Sequence, residues 1–386
     1  MKPFINFHTV SLNKRDEELC GDQVRILRTS DQTRIVLSDG LGSGVKANIL
    51  AALTAEIIIN MLREESPLAD VIETVMQTLP VDRQQKVAYA TFTVLEVDNR
   101  TLHFQIYDFD NPWPLLFRDG KNLPIEPEKQ VLVGRKITSA SGTFQMGDFI
   151  ALFSDGMVGA GSGMEFNPDW DLEHIIRFTE NIFPYHPTGA RTFIQMLSGH
   201  TRELYQNQPA DDATLAGLFI RPCETALVFT GPPVLKQDDI IVFDKLLNFE
   251  GKKIICGDTS GTIVARRIGQ KIKLDLSTNH DNIPPIGILP GIDLLTEGIL
   301  TLSKTLEYLE ACQGDIRRVP NQRTGATLLT QSLLQADEIT FLVGQKINPQ
   351  YQNPGLPLSV SIRKVLVEKI CAELSKLDKT ITTEYY

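Results

Sequence analysis

Residues 22–44, DQVRILRTSDQTRIVLSDGLGSG, are the stretch whose reading decides the fold. Two β-rich runs flank the polar segment TSDQT, the pattern of a hairpin. Asp22 opens the first strand and Asp39 ends the second. Antiparallel pairing sets the start of one strand beside the end of its neighbour, so these acids are predicted to be close. Downstream, a helix is predicted over 47–63. Its body, NILAALTAEIIINML, is apolar nearly all round and is expected to be largely buried. Ser66 and Pro67 then punctuate the start of a second helix through Gln77.

The same geometry is expected further along. YATFTVLEVD, TLHFQIYDF and PWPLLFRDG read as strands of an antiparallel meander. GDFIALFSDG adds a buried strand ended by Asp155. DLEHIIRFTEN and TGARTFIQMLSGHTRELYQ add two helices, and ATLAGLFI follows Asp211 as a last strand. Antiparallel neighbours would again juxtapose Asp155 and Asp211.

Two acid pairs at strand mouths suit hard divalent cations, which prefer carboxylate, carbonyl and water oxygens. Without such ions four adjacent carboxylates repel one another. Gly21, Gly40 and Gly156 adjoin the acids, allowing tight turns and the approach of a backbone carbonyl, that of Gly40 in particular, to an ion. The plainer account of each Asp-Gly pair alone is a turn.

Composition bounds the rest. At 386 residues, two domains are expected, and 42% hydrophobic with 22% charged residues is the balance of a globular protein. A formal net charge of -10 without a Lys/Arg cluster argues against nucleic acid or an anionic membrane as partner. The five cysteines are scattered and read as reduced thiols. The N-terminal residues lack the apolar core of a secretion signal, and no apolar run is read as approaching the ~20 residues of a membrane span. A cytoplasmic location is the resulting expectation.

Past Cys223 the order becomes strand (KKIICG), helix (GTIVARRIG), strand (KIKLDL), one long helix (IDLLTEGILTLSKTLEYLEA), helix, strand and a C-terminal helix beginning at SVSIRK, which predicts a small α/β unit. Gly257, Asp258, Thr259, Ser260 and Gly261 expose backbone N–H groups that could take a small anionic ligand. The plainer reading makes Thr259 or Ser260 the cap of a helix beginning near Thr262.

The ordered motifs resemble those of the metal-dependent, protein phosphatase 2C-like serine/threonine phosphatases, in the branch named for SpoIIE. They are Gly21-Asp22, the run Asp39-Gly40-Leu41-Gly42-Ser43-Gly44, Phe153-Ser154-Asp155-Gly156, and Asp211-Asp212-Ala213-Thr214. The resemblance covers 1–221. It implies an α+β fold, an antiparallel β-sandwich flanked by helices; the smaller α/β unit read from the alternation over 222–386 is expected to have a regulatory or ligand-sensing role.

The resemblance also implies roles. Asp22, Asp39, Asp155 and Asp211 are the catalytic acids and hold two divalent ions, Mn²⁺ or Mg²⁺, with Asp39 bridging and the Gly40 carbonyl as a further ligand. Asp212 belongs to the metal set or steadies a water beside it. The ions activate a water that attacks phosphoserine or phosphothreonine. The implied partner is a phosphorylated regulatory protein of the anti-sigma-factor-antagonist type, and a homodimer is allowed for. Arg15, in NKRDEE, reads as a solvated loop residue, not a phosphate clamp. His8, His103, His174 and His186 adjoin no metal motif. Two rivals stand beside this reading. One is a nucleotide site on the 40–44 glycine loop, whose GxGxG spacing departs from GxGxxG. The other is a catalytically silent platform with the same fold.

Overall fold

The computed structural model describes residues 2–78, 90–161, 170–185, 189–280, 283–346, 362–377 and 379–386. His186 and the predicted helix start at 359–361 lie outside them. The chain forms two compact units, Met1–Pro222 and Cys223–Tyr386.

In the first unit one sheet contains β1 (Pro3–Leu12), β6 (Leu115–Arg118), β7 (Lys121–Leu123), β10 (Phe149–Phe153) and β11 (Ala213–Pro222), in the order β1-β11-β10-β6-β7. The other contains β2 (Asp22–Arg28), β3 (Gln32–Gly40), β4 (Ala90–Asp98), β5 (His103–Phe109), β8 (Glu128–Leu132) and β9 (Arg135–Thr143), in the order β2-β3-β4-β5-β9-β8. All pairings in both are antiparallel. Ile35, Leu37, Leu95 and Ile106 of one sheet pack with Ile150, Leu152, Ala216 and Leu218 of the other, so the sheets form a sandwich.

Helices cover both outer faces. α1 (Gly44–Arg63) and α2 (Leu68–Thr78) pack on Val36, Phe92 and Val94. α3 (Asp155–Val158), α4 (Leu172–Ile182) and α5 (Ala190–Leu204) pack on Phe149, Phe153 and Leu215. β3 is thereby buried on both faces, which is why RIVLS is a continuous apolar run instead of an alternating one.

Two expectations are corrected here. PWPLLFRDG does not extend the meander: β4 pairs with β5, but β6 crosses to the other sheet and pairs with β10. α1 is not buried all round. Val45, Ile49 and Leu53, one turn apart along a single face, are 61%, 51% and 48% exposed. By length and composition alone α1 could cross a bilayer, contrary to the reading that no run approaches that length. Its opposite face, with Leu50, Ala55, Ile58 and Leu62, is core of the sandwich unit.

The second unit comprises β12 (Thr225–Thr230), α6 (Asp238–Leu247), β13 (Lys252–Cys256), α7 (Asp258–Arg267), β14 (Lys273–Asp275), β15 (Ile286–Leu289), β16 (Ile292–Thr296), α8 (Ile299–Cys312), α9 (Gly325–Gln335), β17 (Glu338–Val343), α10 (Ile362–Ser375) and β18 (Thr380–Tyr385). The sheet order is β14-β15-β16-β13-β12-β17-β18, and β16 to β18 in that order are parallel neighbours. Val242, Leu246, Val264 and Ala265 of α6 and α7 cover one face, and Leu302, Leu329, Val367 and Ile370 of α8 to α10 cover the other. This is a doubly wound α/β sheet.

The predicted single helix over IDLLTEGILTLSKTLEYLEA is a strand followed by a helix. Ile292–Thr296 pairs in parallel with β13, and the Glu297 carboxylate accepts from the N–H groups of Leu300 and Thr301 (3.0 and 3.2 Å), starting α8 anew.

Candidate active site

Asp22 and Asp39 are direct register partners across β2 and β3. Asp155, Asp211 and Asp212 come from the facing sheet. Asp155 does not end a strand, as the sequence suggested: it is the first residue of α3, one position beyond Ser154. Asp211 and Asp212 lead into β11, and the Ser154 N–H donates to the Thr214 carbonyl (3.0 Å), extending the β10–β11 pairing to the mouth of the site.

Ser154 joins the two sheets. Its buried Oγ donates to Asp22 Oδ2 (2.7 Å) while accepting from the Thr214 N–H (2.8 Å). One hydroxyl thus fixes an acid of one sheet to the backbone of the other. Both its donor and acceptor capacities are used, as a buried hydroxyl requires.

The carboxylates act strongly on each other. Asp39 has its pKa pushed up to about 9, first by burial and then by the charges of Asp22, Asp155 and Asp211. Asp22, 2% exposed, is raised to about 6, by burial above all, against the downward pull of the nearby Ser154 and Thr214 hydroxyls. Asp155 is also raised, by burial and then Asp211. Asp39 feels the charge of Asp22 from its own sheet and those of Asp155 and Asp211 from the facing one, so it stands between the acids of the two sheets.

The donor set tests well against divalent cations. The facing groups are hard carboxylate oxygens, and the buried Asp22 Oδ1 and Asp212 Oδ2 lack a hydrogen-bond donor. A buried carboxylate oxygen with no donor is costly, and a cation would satisfy it. Among the described residues no three His, Cys, Asp or Glu side chains are already drawn together as a ligand set.

The three glycines serve a purpose that the sequence reading did not assign. Gly21, Gly40 and Gly156 are absent from the positive-φ residues, so turn conformation is not their reason. A Cβ on Gly40 would overlap the Ala47 carbonyl at the start of α1, and one on Gly156 would overlap the Asp212 carbonyl. On Gly21 it would stand 2.8 Å from Asp212 Oδ2. These glycines let the acid-bearing segments touch at backbone distance. The buried Tyr205 then donates to the Gly156 carbonyl (2.7 Å), holding α3 from behind.

Asp211 and Asp212 divide their work. Asp211 Oδ1 accepts from the Asp212 N–H (3.0 Å) and lies 3.5 Å from Lys14 Nζ. Asp212 is buried and turned towards the 14–21 segment, where its Oδ1 accepts from the Lys14 N–H (2.9 Å). Lys14 therefore brings a cation to the edge of an acid cluster, a placement with no signal in the sequence. Its neighbour Arg15 is exposed and pairs with Asp16 (3.3 Å).

The histidines stay apart from the acids. His8 is half-buried, with its pKa lowered to about 4 by burial and then by Arg191. His174 pairs with Asp171 (2.8 Å), and His103 is exposed on β5. The 40–44 loop holds a carboxylate where the nucleotide reading needs a phosphate: Ser43 Oγ donates to Glu17 Oε1 (3.1 Å), and a Cβ on Gly44 would overlap the Glu17 carboxylate.

Residues 29–220 match the family model described as Stage II sporulation protein E (SpoIIE). Among solved structures, the phosphatase domain of SpoIIE from Bacillus subtilis is 15% identical, covering 57% of this chain and 93% of that one, with a TM-score of 0.43. RsbX in complex with magnesium is 20% identical over 56% of this chain and 95% of its own, TM-score 0.41. The RsbU and RsbW domains of a Mycobacterium tuberculosis protein are 19% identical over 62% and 67%, TM-score 0.45. No curated protein matches the chain in sequence.

Proposed function

We propose, from the premise that residues 29–220 are a domain of the SpoIIE family, that the first unit is a metal-dependent phosphatase acting on phosphoserine or phosphothreonine of a regulatory protein. The observation that carries the reading is Asp39, the register partner of Asp22 in its own sheet and raised in pKa by the charges of Asp155 and Asp211 from the facing sheet.

Asp22, Asp39, Asp155 and Asp211 would hold two divalent ions, Mn²⁺ or Mg²⁺, with the Gly40 carbonyl as a further ligand. When bound, such ions supply Lewis-acid activation of water and neutralise charge on the transferring phosphoryl group. The chain's own groups prepare the place. Ser154 holds the Asp22 carboxylate in one orientation, and Asp212 anchors the Lys14 backbone, leaving the Lys14 ammonium beside Asp211 to face an incoming phosphate. Asp212 positions Lys14 through Oδ1, and its donor-free Oδ2 would take part in the metal set. In SpoIIE-type regulation the fitting substrate class is a phosphorylated anti-sigma-factor antagonist or a similar switch protein. The second unit, 223–386, is given a regulatory role.

The test is hydrolysis of a phosphoserine peptide with added Mn²⁺ by the whole chain and its Asp39→Ala and Asp155→Ala variants. The expected loss is about 100-fold or more in each variant. Unchanged hydrolysis in both removes the site assignment. Metal binding without turnover in the unaltered chain turns the reading to the silent platform.

A further inference from the structure

In the second unit three glycines stand just beyond the C-terminal ends of neighbouring parallel strands: Gly231 after β12, Gly257 after β13 and Gly298 two residues after β16. Their backbones converge. A Cβ on Gly257 would lie 3.8 Å from the Gly231 nitrogen, and one on Gly298 would lie 3.5 Å from the Gly257 Cα. Gly231 and Gly257 have φ of 75° and 142°, values open to glycine, so the bare edge is built into the backbone.

α7 begins on this edge. Its N-cap is Gly257, with no side-chain cap, which corrects the expectation that Thr259 or Ser260 caps a helix beginning near Thr262. Thr259 and Ser260 lie inside the first turn, whose N–H groups have no intrahelical acceptor. Ser260 is fully buried, and its Oγ lies 3.5 Å from the place a Gly257 Cβ would take, yet it has no hydrogen-bond partner. Thr230, at the end of β12 and in register with Cys256, is also fully buried with an unpartnered hydroxyl.

Arg363 completes the edge from the first turn of α10. A Cβ on Gly231 would overlap its guanidinium. One nitrogen donates to the Gly344 carbonyl (3.2 Å), the buried Nε has no partner, and no carboxylate among the described residues pairs with it. Burial lowers its pKa, the signature of a cation removed from water without full compensation. Of the nearby acids, Glu297 is engaged by the N–H groups of Leu300 and Thr301, and Asp258 is exposed.

We propose that this edge binds the phosphate group of a small phosphorylated ligand, between the first turn of α7, the Ser260 hydroxyl and the Arg363 guanidinium. Backbone, hydroxyl and guanidinium donors from two separate segments, α7 and α10, suit a tetrahedral dianion better than a planar carboxylate. The place is also the one where doubly wound sheets accept ligands, outside the carboxyl ends of strands from which connections leave to opposite faces. This site is independent of the acids in the first unit.

Isothermal titration calorimetry of the whole chain in EDTA tests it, with sodium phosphate in one arm and AMP in the other. Saturable binding is expected in at least one arm. Equal affinities assign free phosphate, and tighter AMP binding assigns a phosphorylated organic ligand. Arg363→Gln should weaken binding by roughly tenfold or more, and Ser260→Ala by roughly threefold to tenfold. Asp39→Asn should leave it unchanged. Silence in both arms overturns the proposal, as does an affinity indifferent to Arg363→Gln and Ser260→Ala, or one lost with Asp39→Asn. Should Arg363→Gln fail to fold, Ser260→Ala decides.

Discussion

Replacing Asp22 with Asn should make the metal-free protein more stable while abolishing its activity. The rise of the Asp22 pKa from 3.8 to about 6 measures how unwelcome the charge is in the folded chain. At 1.36 kcal/mol per pKa unit, ionised Asp22 costs about 3 kcal/mol. Because the folded pKa lies above the unfolded one, stability falls as pH rises from near 3.8, and the fall from this group is complete once pH passes about 6. The amide introduced by Asp22→Asn carries no charge, can still accept from Ser154, and turns its N–H₂ towards Asp39 and Asp212. Melting of the whole chain in EDTA should show Asp22→Asn ahead by up to about 3 kcal/mol at pH 8, roughly 6–12 °C for a transition of this size. At pH 5 the gain should shrink to about half, since the folded carboxyl is then mostly protonated. With Mn²⁺ added, the unaltered chain should recover and Asp22→Asn should not. A variant that melts below the unaltered chain in EDTA at pH 8, or a gain identical at both pH values, would refute the reasoning.

Three further outcomes are expected. Chelation should lower the melting temperature more at pH 8 than at pH 5.5, because ions compete with protons on Asp22 and Asp39; at a metal concentration of 100 times Kd the stabilisation removed is about 2.7 kcal/mol. Gly156→Ala should cost about 1–3 kcal/mol in denaturant melts, since the new methyl meets the Asp212 carbonyl and backbone yields less readily than a side chain; a neutral result would mean α3 is not clamped there. Lys14→Met should raise KM for a phosphopeptide by roughly tenfold with a smaller effect on kcat, and Lys14→Arg should recover most of it; an unchanged KM would remove Lys14 from the phosphate site.

The Asp22–Asp39 pair was legible because strand alternation and antiparallel pairing are local rules. Once residues 22–44 read as a hairpin, Asp22 had to face Asp39, and the register places them so. What escaped was non-local. β1 is half-buried and pairs with β11 about two hundred positions later, so nothing beside it in sequence declares it a strand. PWPLLFRDG has the pattern of an antiparallel strand, but both sheets offer such a neighbour, and pattern alone does not say which. Residues 292–311 carry an apolar spacing that a short buried strand joined to a helix imitates. The buried threonines shared by α8 and α9, Thr301, Thr305, Thr327 and Thr330, and the polar β18 likewise lack an apolar signature. Lys14 reaches the acids through a loop path that no periodicity encodes, and the tie made by Ser154 became visible only when two sheets were brought face to face.

That tie sets the spacing of the whole site. Since Asp22 and Asp39 ride on one leaf of the sandwich and Asp155 and Asp211 flank strands of the other, the gap between pairs follows the thickness of the Ile35, Leu37, Ile150 and Leu218 layer beneath as well as the segment that carries Asp211 into β11. Shaving a methylene from that layer would act on ion affinity as a change in wall thickness acts on a keyhole, at a distance and without touching a single ligand.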